Sequence, residues 1–232
     1  MPYSGSLRIP VALDCIIFGF DGETLNLLLV KRNFEPERGN WSLMGGFLDR
    51  EEGLEEAAWR ILYELTGLEN VYMEQLQTFG RVDRDPAERT ISVGYFALIN
   101  IEQHNSELAR RNNAYWLPLG QHPKLIFDHD EMVTVALQRL RYKAALHPIG
   151  FELLPEKFTL PQLQKLYEAI YDAPMDRRNF SRKILSTNLL IRTGEKDDKS
   201  VTKKGLLYSL DKEKYREQQH AFLNFINSSS LV

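Results

Sequence analysis

Apolar and polar positions alternate with two different periods along this chain, and the periods divide it into elements. Leu7 to Phe20 (LRIPVALDCIIFGF) is a nearly continuous apolar run rich in β-branched and aromatic residues, which predicts a buried strand. Asp21-Gly22 marks a turn, and Thr24 to Lys31 predicts the returning strand of a hairpin. A polar loop, NFEPERGN, follows. Then Leu54, Ala57, Ala58, Ile61, Leu62 and Leu65 recur at helical spacing, predicting a helix over 54–65 that Gly67 ends as a C-cap. Val71 to Phe79, Thr90 to Ile101 and Ala114 to Leu119 read as strands, with a charged loop, RVDRDPAER, at 81–89. Asp128 is placed to cap a helix lined by Met132, Val135, Leu137 and Leu140. His147-Pro148 closes a first domain of residues 1–150.

The second part, residues 151–232, has a different rhythm. Thr159 predicts an N-cap with Pro161 in the first turn, and Leu163, Leu166, Tyr167 and Ile170 follow at helical spacing. Beyond Pro174, residues 175–190 predict a second helix. Phe180, Ile184 and Leu185 face inward on it, and Arg177, Arg178, Ser181, Arg182 and Lys183 face outward. A strand from Leu190, a polar tip (GEKDDKS) and a returning strand (VTKKGLLYSLD) complete the order helix, turn, basic helix, hairpin. That is the order of a winged helix-turn-helix. From Lys212 a last helix carries Tyr215, Phe222, Phe225 and Ile226 on one side, to cover the core or a dimer partner.

Composition changes this picture little; charge changes it more. The 232 residues suit two domains, and no apolar run is as long as a membrane span. No basic segment followed by an apolar core stands at the start, so a cytoplasmic protein without a signal peptide is expected. The single cysteine, Cys15, lies in the first apolar run and reads as a core residue. The net charge of −3 conceals an asymmetry. Residues 151–232 hold 14 Lys+Arg against 11 Asp+Glu, which leaves 15 against 21 for residues 1–150. Within 174–216 the count is 12 basic to 6 acidic. A basic second part on an acidic first part points toward nucleic acid.

The chemistry concentrates at GGFLDREEGLEEAAWRILYELTGL, residues 45–68. This stretch resembles a Nudix box, in which Gly, Glu, Arg and a run of glutamates hold a divalent metal against a diphosphate. Gly46, Glu52, Arg60, Leu62, Glu64, Gly67 and Leu68 fall on the family pattern. Ile61 and Leu65 stand where the family has acids. The resemblance maps Glu64 to a surviving metal-ligand position, Leu65 to a lost ligand and Ile61 to the lost neighbouring acid, often the general base. It also implies an ion pair between Glu52 and Arg60. Isoleucine and leucine neither bind a cation nor take a proton, and magnesium is held weakly by one carboxylate. A degenerate box with no catalytic residues and no resident metal or other cofactor is therefore expected. A live enzyme would need Asp49, Glu55 or Glu56 as replacement ligands.

The RDP loop and the FDH sequence before the helix at 128 resemble ADP-ribose-type Nudix proteins and Nudix-related transcriptional regulators of bacteria. With the box they carry the resemblance over nearly the whole chain. It implies an α+β fold: a Nudix α/β/α sandwich with a mixed sheet, followed by a winged helix-turn-helix domain. It further implies a homodimeric repressor or activator, with an effector-sensing domain at 1–150 and a DNA-binding domain at 151–232. The expected effector is ADP-ribose-like or, given the altered box, a sugar such as arabinose. Candidate effector contacts are Glu52, Arg60, Glu64, Arg81, Arg84, Arg89 and His129. Candidate contacts to double-stranded operator DNA are Arg177, Arg178, Asn179, Ser181, Arg182 and Lys183 on the helix, and Lys199, Lys203 and Lys204 on the wing. The competing readings are a magnesium-dependent ADP-ribose pyrophosphatase and an inert interaction module.

Overall fold

The computed structural model describes residues 8–69, 71–101, 110–146, 148–197 and 205–217. Two compact units are present. Among the described residues, one draws on 8–18, 27–69, 71–97 and 110–136, the other on 19–26, 98–101, 137–146, 148–197 and 205–217.

A seven-stranded sheet, most of whose residues belong to the first unit, runs in the order β3 (Trp41–Ser42), β2 (Leu25–Lys31), β1 (Val11–Phe20), β6 (Ile91–Asn100), β5 (Tyr72–Phe79). Off this path β4 (Met44–Phe47) pairs with β1, and β7 (Ala114–Pro118) with β2. β1 and β6 are almost wholly buried along their lengths, which is why they read as continuous apolar runs rather than alternating ones. The expected hairpin forms. Asp21 accepts from the N–H groups of Glu23 and Thr24 at 2.9 and 2.8 Å, while Gly22 takes a positive φ of 96°. The register Asp14↔Gly45 between β1 and β4 sets the Asp14 carboxylate against a glycine, and a Cβ at Gly45 would lie 2.3 Å from Asp14 Oδ1.

The helix α1 (Leu54–Thr66) forms as expected and buries Ala57, Ala58, Ile61, Leu62 and Thr66. Glu56 accepts the Gly53 N–H at its start (2.7 Å), and Gly67 closes it in the left-handed conformation. Asn112 donates to the last-turn carbonyls of Glu64 and Leu65 at 3.0 and 3.1 Å. The helix α2 (His129–Leu146) begins after Asp128, but the Asp128 side chain does not cap it: it is taken up by an ion pair with Arg84. Of the residues expected to line α2, Met132 and Leu140 are buried, whereas Val135 and Leu137 are only half-buried; Val133, Ala136, Ala144 and Ala145 complete the buried face.

In the second unit, α3 (Leu160–Tyr171) has Thr159 as N-cap, its hydroxyl accepting from Gln162 N–H, while Gln162 Oε1 accepts the Thr159 N–H at 2.7 Å. Leu163, Leu166, Tyr167 and Ile170 are buried as expected. The next helix, α4, is Arg177–Ser186, shorter at both ends than the expected 175–190. Asp176 caps it in an extended conformation, and Leu190 already belongs to a strand. Phe180 and Ile184 pack inward; Leu185 does not, being 41% exposed. Strands β9 (Leu190–Lys196) and β10 (Leu206–Leu210) pair antiparallel as the wing. A two-residue strand, β8 (Phe158–Thr159), joins the other side of β10 and was not expected. A six-residue helix, α5 (Lys212–Glu217), opens the last segment; Phe222, Phe225 and Ile226 lie outside the described residues.

Candidate functional site: an effector cavity and a basic helix

A cavity of about 300 Å³ opens in the first unit between β1, β4, the 32–36 loop and the start of α2. Asp14, Arg84 and His129 are among its polar lining residues, with Glu35 and Asp85; Leu43, Leu65 and Phe127 supply apolar walls. Arg32 and Phe34 also line it, the Arg32 guanidinium lying 4.2 Å from the Phe34 ring centre.

Its polar side chains hold one another. Arg84, only 4% exposed, grips Asp128 at two points, Nε to Oδ2 at 3.0 Å and Nη2 to Oδ1 at 2.8 Å. The same Nη2 lies 3.5 Å from Asp14 Oδ2. Ser92 donates to that oxygen at 2.6 Å. His129 is fixed from its other side, where Leu43 N–H donates to Nδ1 at 3.1 Å. The proton of the neutral ring therefore sits on Nε2, which faces Asp14 Oδ1 at 3.7 Å. Burial lowers the His129 pKa, with Asp14 opposing, so the ring is neutral at pH 7.

The seven expected effector contacts fall into separate groups. Arg84 and His129 line the cavity. Glu52 and Arg60 form the expected ion pair, through Arg60 Nε (2.9 Å) and Nη2 (2.6 Å). Glu52 also accepts Asp49 N–H, and Arg60 donates to Phe47 O at 3.1 Å, so this pair ties the box loop to α1. Its hydrogen bonds hold the Glu52 carboxyl down at about 2. Glu64 is exposed and lies 3.6 Å from Arg60. Arg81 is exposed and pairs with Glu131 and Asp83. Arg89 donates to the carbonyls of Gly80, Arg81 and Thr90, closing the neck of the 81–89 loop. Neither Arg81 nor Arg89 lines the cavity: Arg81 pairs outward with Glu131 of α2, and Arg89 is spent on the loop's own carbonyls. Asp14 and Arg32 were missed by the sequence reading. A lone aspartate inside an apolar strand was the available signal for the first; Arg32 carried none.

The acids of the box do not assemble into a metal site. Ile61 is 2% exposed and packs under Gly46, while Leu65 forms part of the cavity wall. Glu56 is used as a cap and Asp49 lies 3.8 Å from Arg60. Among the described residues no group of three or more His, Cys, Asp or Glu is placed to hold a metal ion. A magnesium ion that prefers several oxygens does not fit this donor set. Cys15 is fully buried, its thiol pushed up to about 12 by that burial.

On α4, Arg177, Arg178, Asn179 and Arg182 are exposed at the N-terminal end and Ser181 and Lys183 are half-buried. Asp176 Oδ1 accepts Asn179 N–H at 2.8 Å, and Asn179 Oδ1 accepts from Arg182 Nη2 at 2.9 Å. Lys199, Lys203 and Lys204 lie outside the described residues.

A sheet-and-helix domain carrying a box, followed by a winged helix with a basic second helix, defines a Nudix-type regulator. Residues 8–135 match the NUDIX domain family, and residues 150–210 match the NrtR DNA-binding winged helix domain. The ADPR responsive transcriptional repressor NtrR of Acinetobacter baylyi is 33% identical over 189 residues, 80% of this chain and 76% of that protein. The crystal structure of Shewanella oneidensis NrtR complexed with a 27mer DNA superposes with a TM-score of 0.78 at 33% identity, covering 89% of this chain and 95% of that one. An ADP-ribose pyrophosphatase of Methanocaldococcus jannaschii is 34% identical over 128 residues, 55% of this chain and 72% of that protein. The chain belongs to the NrtR family of Nudix-domain transcriptional regulators.

Proposed function

We propose that this protein is a DNA-binding transcriptional repressor that responds to ADP-ribose, with residues 1–150 sensing the effector and residues 151–232 holding operator DNA as a homodimer. The observation that carries this reading is the pairing of a Nudix domain whose box has Ile61 and Leu65 in place of two acids with a winged helix whose α4 presents Arg177, Arg178, Asn179 and Arg182 to solvent. ADP-ribose is favoured by the relatives described above: one responds to it and another is named for cleaving it. Neither points to a sugar, so the expectation of arabinose draws no support from them.

The repressor reading requires ADP-ribose to favour one of two states of the protein, since equal affinity for both would shift nothing. Arg177, Arg178, Arg182 and Lys183 would grip phosphates or read guanine edges, with Asn179 and Ser181 beside them. Glu52, Arg60 and Glu64 contribute to the sensor by holding the box loop. Arg81 and Arg89 do so by shaping the loop that carries Arg84.

Fluorescence anisotropy with DNA from upstream of the protein's own gene tests the reading. Retention by the full chain, released by ADP-ribose without added magnesium, is expected. Magnesium-dependent hydrolysis of ADP-ribose at enzyme-like rates, with no DNA retention, would instead establish the pyrophosphatase reading.

A further inference from the structure

The cavity floor presents an acceptor beside a donor, each without a hydrogen bond on the side that faces the cavity. Asp14 Oδ2 is occupied by Ser92 and approached by Arg84, but Oδ1 accepts no hydrogen bond from the described residues. His129 is 3% exposed, and its Nδ1 is used by Leu43 N–H. Its Nε2–H is 3.7 Å from Asp14 Oδ1, too long for a hydrogen bond. Both side chains line the cavity, so water or a ligand that enters it can complete their hydrogen bonds.

We infer that Asp14 and His129 form a hydroxyl-reading pair, with Nε2–H donating to, and Asp14 Oδ1 accepting from, the vicinal hydroxyls of a pentose ring. A hydroxyl is both donor and acceptor, so one sugar oxygen or two neighbouring ones match this couple. Phosphate does not. A diphosphate ester has no proton to give Asp14 and beside this couple would set its charge against that carboxylate, while Arg84 is already committed to Asp128 and the other lining cation, Arg32, donates through Nε to Pro36 O. The volume of about 300 Å³ is ample for a sugar ring. Gly45 is part of the device, because a side chain there would displace the Asp14 carboxylate. The inference rests on the effector reading above and specifies which end of ADP-ribose the floor takes: the terminal ribose, with the diphosphate away from it.

The test is Asp14→Asn in the full chain. Ser92 and Arg84 require an acceptor on their side, so the amide nitrogen is turned to the cavity and sets a donor beside the His129 donor. Calorimetry with ADP-ribose, D-ribose, L-arabinose and D-xylose reads the result. The wild type is expected to bind ADP-ribose, and D14N to bind it about 10- to 100-fold more weakly, the loss of one charge-assisted hydrogen bond. If D14N fails to fold in a thermal melt, Ser92→Ala replaces it; removing only the hydroxyl that orients Asp14 is expected to weaken binding by a smaller factor. Unchanged affinity in a folded D14N, or in S92A where D14N does not fold, overturns the pair. If the wild type ignores ADP-ribose but binds a free pentose that the variant loses, the pair stands and the ADP-ribose reading falls. Binding of none of the four overturns both.

Discussion

Arg84 and Asp128 meet in a two-point ion pair, with Nε–Oδ2 at 3.0 Å and Nη2–Oδ1 at 2.8 Å, and each side chain is only 3% exposed. The pair fastens the 81–89 loop to the first turn of α2 and so fixes one wall of the cavity. Asp14 adds a second carboxylate 3.5 Å from the same guanidinium. Arg84 therefore holds two buried anions, and its planar fork does so in a way a lysine cannot reproduce.

Removing it leaves both carboxylates buried without a cation. Arg84→Ala is expected to lower stability by about 3–5 kcal/mol, because the surviving charges cost more than the pair itself contributes. Arg84→Lys recovers only part of this. Urea denaturation of the three proteins provides the comparison, and an R84A as stable as wild type would show that water reaches the pair.

Glu52 and Arg60 answer differently to acid. The Glu52 carboxyl is depressed from its ordinary 4.5 to about 2 by hydrogen bonds from Arg60 and Asp49 N–H. A group whose folded value is lowered stabilises the fold above its unfolded value, and that stabilisation disappears as pH falls through the folded value. The stability difference between wild type and Glu52→Gln is thus expected to be constant above about pH 5. It should shrink from about 4.5 down toward about 2. Denaturation midpoints across that range give the curve; a difference independent of pH would mean the ion pair contributes nothing.

The elements were legible in the chain because periodicity reports burial directly: α1, α3 and the paired strands lie close to where the apolar spacing places them. The Glu52–Arg60 pair was legible too, since both ends sit in one local motif. The cavity was not. Its floor joins Asp14 of β1, Ser92 of β6, Arg84 of a loop and Asp128 and His129 at the start of α2. No local pattern relates residues 44 or 78 positions apart. Asp128 illustrates the cost of local reasoning. It sits where an N-cap belongs, yet the buried guanidinium of Arg84 is the stronger partner for its carboxylate.

The two aliphatic residues in the box differ in what they would tolerate. Ile61 is 2% exposed and packed under Gly46, whereas Leu65 is half-buried at the cavity wall. Restoring an acid at position 61 buries a carboxylate with no cation facing it. Ile61→Glu is expected to cost more than about 3 kcal/mol. Leu65→Glu can hydrate through the cavity and should melt within a few degrees of wild type. Thermal melts of the two variants decide the matter; equal tolerance would place Ile61 outside the core.

Asp176 sets two effects against each other at the head of α4. As N-cap it accepts Asn179 N–H at 2.8 Å, which orders the turn carrying Arg177, Arg178 and Asn179. As an anion it stands beside the guanidinium groups proposed to meet DNA, where it would repel phosphate. Asparagine caps about as well as aspartate, and alanine does not, at a cost of about 1 kcal/mol. Asp176→Asn keeps the cap, removes the repulsion and is expected to tighten retention about two- to fivefold at low salt. Asp176→Ala removes both, and fraying of the first turn should cancel that gain. Arg178→Ala, by comparison, should weaken retention and flatten the salt dependence by about one unit of slope, the signature of one lost phosphate contact. Anisotropy titrations of the three variants between low and physiological salt measure these outcomes. An Arg178→Ala slope equal to wild type, together with no difference between the two Asp176 variants, would move the DNA-binding surface off this end of α4.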